Sequence, residues 1–108
     1  MRISLLAIPF FLFFAPPAFA WDGGAAGKIT LLDATNAENY GFRVQVAGSA
    51  AGLCGAGTPS WPYVNKSFDN YDVFVSLLTS AFLAGKSVMI YLDNIGGFCR
   101  IGHIQIAG

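Results

Sequence analysis

Residues 69–108 read DNYDVFVSLLTSAFLAGKSVMIYLDNIGGFCRIGHIQIAG, and they decide the fold. Tyr71, Phe74, Val75, Leu78, Ala81 and Phe82 recur at i, i+3, i+4 and i+7, which predicts one amphipathic helix over Asp69–Gly85. Asp69 or Asn70 can cap its start, Asp72 places negative charge in its first turn, and Gly85 suits a left-handed stop. Val88–Leu92 is apolar throughout, as expected of a central strand. A turn over Asp93–Phe98, with Gly96 and Gly97, leads into a last strand, Cys99–Ala107. In that strand Cys99 and Ile101 share one parity and Ile104 and Ile106 the other. An extra residue near Gly102–His103 would bring all four to one face, so a β-bulge is expected there.

Upstream, Phe42–Ala47 alternates: Phe42, Val44 and Val46 on one side, Arg43 and Gln45 on the other. With Lys28–Asp33 it predicts a hairpin around a turn holding Asn36, Asn39 and Gly41. Trp21–Gly27 is Gly/Ala-rich and expected to be loose. Gly48–Pro59, with four glycines around Cys54, is expected to be the least structured part. Trp61–Ser67 predicts a third strand, and Pro62 places its start at an edge because proline cannot donate to a ladder. The order is β-β-β-α-β-β, mainly β with one helix (α+β). That is the element order of an OB-fold-like five-stranded β-barrel. An open five-stranded sheet with the helix on one face is the other arrangement the order allows.

Residues 1–20 have the three parts of a secretory signal peptide: Arg2, the apolar run Ile3–Ala15, and the A-x-A site Ala18-Phe19-Ala20. Pro9, Pro16 and Pro17 disfavour a membrane-spanning helix. The remainder, residues 21–108, is one OB-like domain of 88 residues with five Lys/Arg and six Asp/Glu. The cations are scattered, which excludes the clustered phosphate contacts of nucleic-acid binding, and no membrane anchor is expected in the processed chain. So few charges suit burial of part of the surface in a homo-oligomer. In an exported chain, Cys54 and Cys99 are expected to form one disulfide. A metal site would lack a fourth protein ligand and the usual close spacing, so no metal and no cofactor are expected.

A Tyr71-Asp72 pair opening the helix, Ala84-Gly85-Lys86 leading into Val88-Met89-Ile90-Tyr91, Trp21 near the start, Cys54, and Cys99 before the last strand form a pattern. It resembles that of small exported bacterial proteins related to the B subunit of subtilase cytotoxin. The resemblance implies an OB-like fold, a ring of five subunits and glycan binding; no glycan-contacting residue is carried over. The single histidine, His103, has no evident nucleophile and carboxylate partners for catalysis, and the module is expected to be non-enzymatic. Trp61 and Tyr63 share one face of their strand and are the candidate binding residues, with core or subunit contact as the alternative. The sequence thus points to an exported binding module in the periplasm or outside the cell. The rival is a periplasmic structural or protein-interaction protein without a small ligand, whose neutral surface and edge strand serve protein partners, strand addition being one route. Asn65-Lys66-Ser67 also matches a glycosylation sequon.

Overall fold

The computed structural model describes residues 21–108; the expected signal peptide lies outside the described residues. The elements are β1 (Gly23–Ala34), β2 (Phe42–Val46), β3 (Pro62–Val64), α1 (Tyr71–Ala84), β4 (Ser87–Ile95) and β5 (Phe98–Ile106). The chain is mainly β with one helix, and its five strands form a sheet that closes on itself in the order β1-β2-β3-β5-β4. All neighbours are antiparallel except β3 and β5.

Closure depends on β1, which is longer than expected. Gly23–Lys28 pair with β4 and Ile29–Ala34 pair with β2, so one strand joins both ends of the sheet. The Trp21–Gly27 segment expected to be loose is therefore mostly strand. Gly27, at φ 145°, and an unpaired Thr30 between Ile29 and Leu31 bend β1 where it changes partners. The Gly/Ala composition that suggested looseness instead permits close approach. A Cβ on Gly23 would clash with the Leu53 carbonyl and Cys54 Cα, so the Leu53–Cys54 backbone packs directly on this strand.

β5 carries the expected bulge. Tyr91 pairs with His103 and Leu92 with Ile101, so Gly102 is the extra residue. Cys99 and Ile101 are buried, and Ile104 and Ile106 pack against the same core. Val44, Val46, Val64, Leu78, Ile90 and Leu92 supply much of the rest of that core. Burying each such side chain contributes about 1.5–3 kcal/mol before chain entropy is counted. The β4–β5 turn is the pair Gly96-Gly97, both at positive φ, and Gly97 N–H donates to Asn94 Oδ1 at 2.9 Å.

β3 is shorter than expected and is not at an edge: β2 lies on one side and β5 on the other. Ring closure gives Pro62 two neighbours, and only two residue pairs of the short β3–β5 ladder are formed. The helix ends as expected, with Gly85 left-handed, Gly85 N–H donating to Phe82 O and Lys86 N–H donating to Ala81 O at 2.9 Å. Its start differs: Asn70 is the cap residue, but no side chain makes a capping hydrogen bond. Phe82, expected in the buried stripe, is 38 % exposed.

Cys54 and Cys99 form the expected disulfide, with Cα atoms 5.7 Å apart. The segment around Cys54 carries no helix or strand, as expected, but it is hydrogen-bonded. Thr58 Oγ1 donates to Gly55 O at 2.6 Å and accepts from Cys54 N–H at 3.2 Å, while Gly52 N–H donates to Thr58 O at 2.6 Å. The glycines allow a tight knot there, and the disulfide staples it to β5.

Candidate functional site

One lateral row crosses all five strands on the outer face of the ring. Asp33 of β1 pairs with Arg43 of β2, Arg43 with Tyr63 of β3, Tyr63 with Arg100 of β5, and Arg100 with Asp93 of β4. Residues directly opposite on neighbouring strands point to the same face. The row therefore sets a tyrosine between two arginines, each next to an aspartate. Both ends are ion pairs, Arg43–Asp33 and Arg100–Asp93, the second at 2.7 Å.

An aromatic layer covers this row. The Tyr40 ring lies 4.7 Å from Tyr63, 4.4 Å from Phe98 and 6.1 Å from Trp61. Trp61 and Phe98 are 5.7 Å apart, and Phe68 is 6.1 Å from Tyr63. Arg43 lies over Trp61 at 5.1 Å and Arg100 over Phe68 at 5.4 Å, both within cation–π range. Each end of the row thus repeats one unit: a carboxylate, a guanidinium and an aromatic face.

The two residues expected to bind ligand have different fates. Trp61 is half-buried and borders a hollow of about 190 Å³ lined by Leu31, Asp33, Arg43, Val44 and Gln45. Gln45 Nε2 donates to Ser60 Oγ at 3.3 Å beside it. Tyr63 points outward but is only 2 % exposed, because Tyr40 and Phe68 lie against it. Burial raises the Tyr63 phenol above its usual pKa, Tyr40 adds to the rise, and Arg100 offsets part of it. Arg43 Nε is buried with no hydrogen-bond partner among the described residues.

At the far end of the row a larger hollow, about 430 Å³, is bordered by Trp21, Phe68, Asp69, Asn70, Asp93 and Arg100. Trp21 packs closely on the β5 bulge: a Cβ on residue 102 would lie 2.3 Å from the nearest atom of its indole ring. Its other neighbours are Tyr91, stacked at 6.1 Å, and His103, edge-on at 6.0 Å.

Tyr40 and Phe98 escaped the sequence reading. Tyr40 stands in what reads as an ordinary turn, yet its φ of 60° is the only positive value at a non-glycine residue among the described residues. Its N–H donates to Asn65 Oδ1 at 2.7 Å, and Asn65 Nδ2 donates to Asn39 Oδ1 at 3.0 Å. Such strained residues cluster at functional sites. The sequon asparagine, 8 % exposed, is thus spent as an internal clamp.

In comparison with known proteins, no family model, no curated protein and no solved structure matches this chain. No cluster of three or more potential metal-ligating side chains occurs among the described residues. Nor is any described helix long and apolar enough to cross a membrane.

Proposed function

We propose that the protein is a non-enzymatic exported binding module, periplasmic or secreted, that recognises a glycan on the outer face of β2–β3 and works as a homo-oligomer. The observation carrying this is the row Asp33–Arg43–Tyr63–Arg100–Asp93 beneath Tyr40, Trp61 and Phe98. Sugars present apolar CH faces and rigid hydroxyl arrays. Aromatic rings match the first, and planar carboxylate, amide and guanidinium groups match the second. Since each arginine has its aspartate, the row is close to neutral, which suits a polar uncharged ligand over a polyanion.

The strand order and the helix between β3 and β4 support an OB-fold reading of the closed sheet. In OB-folds the β2–β3 face and the β1–β2 and β4–β5 loops bind oligosaccharides and oligonucleotides. Tyr40 lies in that first loop, and Phe98 directly follows the Gly96-Gly97 turn. The unpaired Arg43 Nε beside the Trp61 hollow is a donor that a ligand hydroxyl could satisfy after a small side-chain shift. The disulfide is compatible with an oxidising compartment. His103, the sole histidine, is engaged by Trp21 and Tyr91.

The test is a glycan array probed with the oxidised protein and its Trp61→Ala variant. Binding to a defined glycan that falls at least about tenfold in the variant supports the reading. An array that stays blank at high protein concentration overturns the glycan assignment, and a signal indifferent to Trp61 overturns its placement on this face. Strand addition by a partner loses its footing, because β3 has a neighbour on each side.

A further inference from the structure

α1 has an apolar inner face and an uncharged, partly apolar outer one. The inner one, with Leu78 and Ala81 buried and Phe74 and Val75 packed against them, covers the core. The outer one carries Val73, Ser76, Leu77, Ser80, Leu83 and Ala84, all exposed and spaced i, i+3, i+4, i+7, i+10 and i+11. Leu83 is 78 % and Val73 55 % exposed. A lone surface helix normally turns charged residues to water. In α1 the sole Asp, Glu, Lys or Arg is Asp72.

The geometry points to a second copy of this chain as the cover, docked α1 against α1 about a twofold axis. The order of side chains along the stripe carries this choice. With the axis between residues 78 and 79, antiparallel pairing sets Leu77 against the partner's Ser80 and Val73 against the partner's Ala84. Large thus meets small at these two levels, as ridges-into-grooves packing favours, and Leu83 lies at the margin of the contact. The same operation brings Asp72, at the start of α1, toward the partner's Lys86, just past its end. Both residues are exposed, and neither belongs to an ion pair among the described residues. Two such pairs would flank the apolar contact, and the antiparallel helix dipoles favour them. A twofold contact uses the same patch on both subunits and so is complete at two copies, unlike a head-to-tail ring.

This deepens the homo-oligomer part of the proposed function and is independent of any glycan. A 14-residue helix is about 21 Å long. The contact is therefore smaller than the roughly 800 Å² per partner of a standard interface, and assembly is concentration-dependent.

The test is sedimentation velocity of the processed, oxidised protein from about 1 μM to about 500 μM, spanning weak to moderate affinities. The expected result is a reversible monomer–dimer equilibrium. Leu77→Glu should weaken it at least about tenfold with circular dichroism unchanged, since Leu77 is not in the core. Asp72→Lys should weaken it as well, and adding Lys86→Asp should restore it. A protein that stays monomeric throughout overturns both the twofold contact and the homo-oligomer reading. A five-subunit mass, or a dimer indifferent to Leu77→Glu and to the charge swap, overturns the α1 contact alone. Glycan binding that is lost by Trp61→Ala but unaffected by Leu77→Glu keeps the two readings separable.

Discussion

The side-chain oxygen of Asn65 accepts a hydrogen bond from the backbone N–H of Tyr40 at 2.7 Å and holds that residue at φ 60°. A residue just past the end of β3 thereby sets the backbone of the β1–β2 loop, 25 positions away in sequence. The loop in turn lays the Tyr40 ring over Tyr63 and against Trp61 and Phe98. One buried amide organises the aromatic layer of the candidate site.

Asn65→Ala should therefore cost about 1–3 kcal/mol, the range for leaving a buried partner unsatisfied. Urea unfolding reads the stability. Near-ultraviolet circular dichroism should lose intensity as the Tyr40–Trp61–Phe98 packing loosens. A variant with the wild-type midpoint and spectrum would show that the clamp is not needed.

Gly102→Ala should destabilise by about 1–3 kcal/mol, because its methyl group would enter the space of the Trp21 ring. Trp21→Ala removes that obstacle. In a double-mutant cycle the two changes should couple by at least about 0.5 kcal/mol. Strict additivity would mean that Trp21 does not sit against the bulge.

Cys54→Ser should lower stability by about 2–5 kcal/mol, as loss of a native disulfide does in small exported domains. The Cys54–Cys99 loop spans 45 residues and holds the knot around Thr58 onto β5. Thiol titration of the unfolded, unreduced protein should find no free cysteine.

Tyr63 makes stability fall at alkaline pH. Its phenol pKa in the folded state is raised by burial and by Tyr40, so the folded protein holds that proton more tightly than the unfolded chain. The resulting stabilisation is complete below about pH 10, the ordinary tyrosine value. It is lost as pH rises through the folded-state value. Denaturation midpoints followed across that range should decline in the wild type and decline less in Tyr63→Phe.

Much of the architecture was legible in local pattern. The 3.6-residue period placed α1, Gly85 marked its end, and the parity break in Cys99–Ile106 located the bulge at Gly102. These features arise between residues close in sequence, where spacing carries the information. Pro62 misled because an edge is a property of the whole sheet, and the closed ring leaves β3 flanked on both sides. The Gly/Ala run before Lys28 misled for a related reason. It pairs with β4, more than sixty residues later, and small residues there serve close approach.

The sequence by itself determined the element types, the helix boundaries to within two residues, and the pairing of its only two cysteines. Each follows from a short repeat, a backbone preference or the absence of a rival partner. Tertiary structure alone decided that Asp33, Arg43, Tyr63, Arg100 and Asp93 form one row, that Tyr63 is covered while Trp61 stays partly open, and that Tyr40 and Phe98 join it. Register between strands distant in the chain brings those side chains together, and no local spacing encodes that register.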